Sequence, residues 1–118
     1  MSWETILKRG KRRKINMPQY REAFANATAT QAEFTLSEIL PLAQELYKEY
    51  LIRDGVYPNN NVGKSNASMH AKTAFKNRGR SQAMYGRVIN NLGVHAATKR
   101  RKILPSGRKE TIYARREE

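Results

Sequence analysis

Gln82, Ala83, Gly86, Arg87 and Asn90 fall together on one side of a helix drawn at about 100° per residue. The amides of Gln and Asn and the guanidinium of Arg are the groups whose paired donors and acceptors match the edges of adenine and guanine. Ala83 and Gly86 between them would let a backbone approach such a surface closely. Gly86 weakens a helix interior by up to about 1 kcal/mol relative to Ala, so some close approach is expected to offset it. The same positions also suit the solvated side of an ordinary amphipathic helix. Freedom from carboxylates is what favours the base-reading alternative.

The second chemistry is cationic. Arg78, Arg80 and Ser81 precede this helix; Lys99, Arg100, Arg101 and Lys102 follow it, with Arg108 and Lys109 beyond; Lys11, Arg12, Arg13 and Lys14 lie near the N-terminus. Such side chains meet phosphates, which gives affinity and orientation but little sequence information. The balance of the whole chain agrees: 23 Lys and Arg against 10 Asp and Glu give a net charge of +13. The charge is also segregated. Residues 15–54 carry a net −3, while residues 55–109 carry twelve bases and no acid. Excluding carboxylates over such a length suits a surface that lies against a polyanion. Nucleic acid is the leading partner, with an anionic membrane surface or an acidic protein behind it. Basic runs also occur on solvated hairpins, and a short N-terminal one also suits an address signal or a solubilising tail.

Several chemistries are excluded on residue types. The chain has no cysteine, so disulfides, thiol catalysis and Cys/His zinc fingers are ruled out. Its two histidines, His70 and His95, belong to no ligand cluster; the first is expected on the surface of a helix and the second in a loop. Gly63-Lys64-Ser65 resembles the end of a phosphate loop, but the upstream glycine and preceding apolar strand are missing. The carboxylates sit mainly on one helix and the C-terminal tail, leaving nowhere to build a catalytic pair. A non-enzymatic protein without cofactor or metal is therefore expected. No apolar run approaches the roughly 20 residues of a membrane span. No apolar stretch follows the Lys8–Lys14 cluster, so a secretory signal is not expected, and an intracellular location (cytoplasm, nucleoid or nucleus) or an intravirion one is. Six tyrosines invite thoughts of base stacking. Tyr47, Tyr50 and Tyr85 stand at core spacing, which favours packing.

The elements that must position these groups are readable. At 118 residues one domain is expected, as a basic arm and accessory helix over 1–33 and a main unit over 34–118. Trp3, Ile6 and Leu7 suit a short helical turn. Pro18 opens a helix with Tyr20, Phe24 and Ala27 on one face. Phe34 to Gly55 predicts a long helix: Thr35 with Glu38 fits a capping box, Phe34 with Ile39 a hydrophobic staple, and Gly55 a stop. Pro41 predicts a kink there or a start there. The acids of this helix (Glu38, Glu45, Glu49, Asp54) place it away from a polyanion. Val56 to Lys64 reads as a loop. A helix capped by Ser65 or Asn66 then runs to Gly79, and one capped by Ser81 runs to Gly93. Thr98 to Leu104 and Arg108 to Tyr113 read as two strands about a Pro105-Ser106-Gly107 turn of type I with a glycine bulge.

This order of elements, with the stretch Asn77-Arg78-Gly79-Arg80-Ser81 to Gly93 and the hairpin closing at Ile112-Tyr113-Ala114-Arg115, resembles the winged helix-turn-helix family over about Phe34 to Arg116. The resemblance implies a mainly α fold with a small β-hairpin: a three-helix winged core, here with an N-terminal basic arm and an extra helix. It implies double-stranded DNA as partner, in a transcriptional regulator or chromatin-type protein, with residues 81–92 as recognition helix and 98–113 as wing. A ribosomal-type RNA binder and a packaging protein that neutralises nucleic acid without reading it are the alternatives. A homodimer is allowed but not required, since no long heptad seam is present.

Overall fold

The computed structural model describes residues 15–75 and 79–116, with the side chains of 79–82 outside that description. Four helices and three strands follow in the order α1 (Met17–Thr28), β1 (Glu33–Phe34), α2 (Leu36–Arg53), α3 (Asn61–Ala74), α4 (Gly79–Leu92), β2 (His95–Ile103) and β3 (Lys109–Arg115). The strands form one antiparallel sheet in the order β1-β3-β2.

Helix α1 carries Pro18 in its first turn and buries Tyr20, Phe24 and Ala27, the face expected from their spacing, together with Ala23 and Thr28. Thr28 can be buried because its hydroxyl donates to the Phe24 carbonyl at 2.8 Å. Tyr20 packs edge-on against Phe24 and Tyr47, while Phe24 stacks on Phe75 and lies tilted against Tyr85. This aromatic cluster joins α1, α2, the end of α3 and α4 in a single core. Burial, with Tyr85 and Tyr47 nearby, pushes the Tyr20 hydroxyl far above its ordinary pKa. Tyr20, Tyr47 and Tyr85 are fully enclosed and so are packing residues.

Helix α2 runs from Leu36 through Pro41, so it does not begin at the proline. Its start is the one expected. The Thr35 backbone N–H and hydroxyl both donate to Glu38 Oε1, at 3.1 and 3.0 Å, and Phe34 and Ile39 are both buried. Gly55 follows the C-cap at φ +75°, a left-handed conformation that suits glycine.

Helix α3 begins earlier than the sequence implies. Asn60, not Ser65 or Asn66, caps it by accepting the Gly63 N–H at 2.7 Å. A Cβ at Gly63 would stand 1.8 Å from the Pro58 carbonyl oxygen, so the glycine serves a backbone crossing within a helical first turn. Gly63-Lys64-Ser65 is thus helical and forms no phosphate loop. The helix ends at Ala74, with Phe75 as its C-cap, rather than at Gly79, and α4 starts at Gly79, two residues before the expected Ser81 cap. Gly93 closes α4 at φ +78°.

Both histidines depart from expectation. His70 is buried between two tyrosines, with Nε2 3.0 Å from the Tyr47 hydroxyl and Nδ1 2.9 Å from that of Tyr57. His95 is buried at the start of β2, donates from Nε2 to the Gln31 carbonyl at 2.7 Å, and packs edge-on against Phe34. Their partners come from distant parts of the chain, which local sequence does not display. Strand β1 was likewise not expected; it pairs Phe34 with Tyr113 and Glu33 with Ala114.

Candidate nucleic-acid interface

The hairpin is built as its turn residues require. Gly107 N–H donates to the Leu104 carbonyl and Leu104 N–H to that of Arg108, both at 2.8 Å, with Gly107 at φ +87°. The ladder starts at His95, three residues before the expected Thr98. Between Ala97, opposite Tyr113, and Arg101, opposite Thr111, β2 carries a bulge. Thr98 repairs the gap: its hydroxyl donates to the Ile112 carbonyl at 2.7 Å and accepts the Arg100 N–H at 3.2 Å.

Beyond the bulge the strands alternate, and ladder partners share a face. Lys102 stands opposite Glu110, while Arg101 stands opposite Thr111 and Ile103 opposite Lys109. The six hairpin bases therefore divide. Arg100 grips Glu33 through Nη2–Oε1 at 2.6 Å, Lys102 reaches Glu38 at 3.5 Å, and Arg108 reaches Glu110 at 3.5 Å. The Arg100 hydrogen bond holds the Glu33 carboxyl below its usual range. Lys99, Arg101 and Lys109 are exposed and, among the described residues, have no carboxylate within ion-pair distance. The paired bases can be displaced onto a phosphate only by giving up an acid; the unpaired ones need not.

Glu110 ends the acid-free stretch, yet it faces inward. Its Oε1 accepts the Ser37 N–H at 3.0 Å and its Oε2 the Ser37 hydroxyl at 2.5 Å. A free N–H in the first turn of α2 is thus capped from β3. Burial pushes this carboxyl up, but the Ser37 hydroxyl and amide, Thr35 and Arg108 outweigh it, and its pKa lies below the usual value.

On α4 the division of faces follows the sequence. Tyr85, Val88 and Ile89 are buried, Met84 and Leu92 half-buried, and Ala83, Arg87 and Asn90 exposed on one stripe. Gly86 has a different use from the one its position implies. A Cβ there would lie 3.1 Å from the Tyr113 hydroxyl, so the close approach it permits is to the hairpin. The backbones of Arg80, Ser81 and Gln82 belong to α4, but their side chains are not described; Arg78, Lys11, Arg12, Arg13, Lys14 and the Trp3–Ile6–Leu7 turn fall outside the described residues.

Sequence reasoning missed two cationic ties. Arg115 donates to the Ala29 carbonyl, and Arg116 to the carbonyls of Asn90 at 3.2 Å and His95 at 3.3 Å. They fasten β3 to the C-terminal ends of α1 and α4, where free carbonyls attract cations. Exposed Lys64 and Lys72 on α3 extend the acid-free surface. On the helices, Arg53 holds both Glu22 at 2.6 Å and Asp54 at 2.7 Å. Among the described residues, no three His, Cys, Asp or Glu side chains gather closely enough to hold a metal ion, and no helix is long and apolar enough to cross a membrane. Comparison of the chain with models of known families, with curated proteins and with solved structures finds no match.

Proposed function

We propose that this chain binds double-stranded DNA in the manner of a winged helix-turn-helix protein, as a transcriptional regulator or chromatin-type protein and not as an enzyme. Helix α4 enters the major groove, where Arg87 and Asn90 read base edges. The hairpin lies along the backbone as the wing, and the basic run Lys11–Lys14 adds further phosphate contacts. One observation carries the reading: among the described residues, the exposed stripe of α4 and one face of the hairpin are free of acids, while Glu33, Glu38 and Glu110 beside them are paired or turned inward. The succession α2, α3, α4 and hairpin supports the winged arrangement, as does β1 pairing with β3. Major-groove reading favours DNA, since the deep narrow groove of A-form RNA does not admit side chains.

Fluorescence anisotropy on matched duplex DNA, single-stranded DNA and folded RNA, over a salt series, tests this. Tight duplex binding with a steep salt slope and a sequence-dependent remainder is expected. Arg87→Ala then lowers preference for a selected site by about 1–3 kcal/mol while leaving random duplex little changed. Preference for folded RNA would instead support the ribosomal-type reading. Equal binding to all three would leave a packaging-type polyanion binder.

A further inference from the structure

Ile103 is the last residue of β2, one residue before the turn, and is 66% exposed. Lys109 faces it across the ladder and Arg101 lies two residues before it on the same side. The cations of the other side, Lys102 and Arg108, are drawn toward Glu38 and Glu110. A branched apolar side chain is thus held out to solvent between two uncompensated positive charges. Its position is fixed by the two turn hydrogen bonds and by a strand with one free edge, because β2 ends the sheet. Exposed Pro105 and Ser106 continue the tip beyond it.

Water is a poor partner for the apolar side chain, and carboxylates alone would satisfy only the charges. The minor groove of a duplex satisfies both parts. Its flanking phosphates and negative potential meet the cations, and an apolar side chain can enter between base steps there. Resting on the duplex-DNA reading above, we propose that Ile103 is a wedge, inserted by the wing between stacked base pairs from the minor groove, with Arg101 and Lys109 held on phosphates at either side. The bound duplex is consequently bent away from the hairpin.

The test uses the full chain and a short duplex labelled at both ends, with anisotropy reporting binding and energy transfer reporting the bend. Ile103→Thr keeps a β-branched residue in the strand, and Val62→Thr alters a comparably exposed apolar residue (69%) on α3 as a control. Wild type and Val62→Thr should raise energy transfer on binding. Ile103→Thr should bind about threefold to tenfold more weakly and lose most of the bend. Binding without a bend in wild type, or a full bend in Ile103→Thr, overturns the wedge and leaves duplex binding standing. No duplex binding in any form overturns both.

Discussion

The two faces of the hairpin carry cations of the same kinds and similar exposure, yet their surroundings differ. On one, Arg100, Lys102 and Arg108 each stand beside a carboxylate brought from β1, α2 or β3. On the other, Arg101 and Lys109 stand beside Ile103 and Thr111. In the first set Lys102 ties the hairpin to α2 and Arg100 ties it to β1, while Arg108 pairs within the hairpin itself; the second set remains available to a partner. Composition alone gives these five bases one role, and the fold separates them into two.

The most direct way to break this comparison is to remove each set and measure duplex binding. Arg101→Ala with Lys109→Ala is expected to weaken binding to any sequence by on the order of 30-fold at moderate salt, and to reduce the slope of log K against log salt by about 1.8. Arg100→Ala with Lys102→Ala should change affinity by less than about threefold, because each lost cation frees an acid pair and not a phosphate contact. Equal losses from the two double variants would erase the distinction between the faces.

The next effect is on stability. Glu110→Ala removes the acceptor for the Ser37 N–H and hydroxyl at the start of α2 and is expected to cost about 1–3 kcal/mol in denaturant unfolding. An unchanged midpoint would mean that water caps α2 as well as Glu110 does. Acid titration sharpens the same point. Glu110 and Glu33 are both held below the ordinary 4.5, and Asp54, bonded by Arg53, is lowered from 3.8 to about 2. A lowered folded pKa contributes stability that is present above the unfolded value and lost as pH falls through the folded one. The melting temperature should therefore fall as the pH drops from about 4.5 to pH 2. A level trace down to pH 2 would show that these pairs add nothing.

Local rules made much of this molecule legible. Pro18, the Thr35–Glu38 box, Gly55, Gly93 and the Pro105-Ser106-Gly107 turn each act within a few residues of themselves, and each is found in the role its type dictates. The exposed stripe of α4 was legible for the same reason, since helical periodicity is a local property. What depends on distant partners was not. The two-residue β1 has no pattern of its own and exists only because β3 arrives beside it. His70 looks like a surface residue until Tyr47 and Tyr57 are placed at its two ring nitrogens. The split among the hairpin bases is likewise invisible, because Glu33 lies 67 residues from Arg100.

Gly86 offers the finest test, because two opposing effects of similar size meet at one atom. Glycine within α4 is weaker than alanine by up to about 1 kcal/mol, so Gly86→Ala should stabilise the helix itself. The added Cβ, however, would stand 3.1 Å from the Tyr113 hydroxyl, closer than comfortable contact. Tyr113 has little room to yield, since it is buried and its ring lies stacked on Phe34 at 5.6 Å. The two effects should nearly cancel, leaving Gly86→Ala within about 0.5 kcal/mol of wild type. Tyr113→Phe removes the obstructing oxygen. In that background Gly86→Ala should show the helix preference undiminished, a gain of about 1 kcal/mol. The coupling between the two changes measures how closely α4 is docked on the hairpin, and thus how firmly the exposed stripe of α4 and the hairpin are held in one geometry. If Gly86→Ala gains the same amount with and without the hydroxyl, the helix and the wing are not in contact there, and the glycine is again free for the close approach to a groove that its position in the sequence implies.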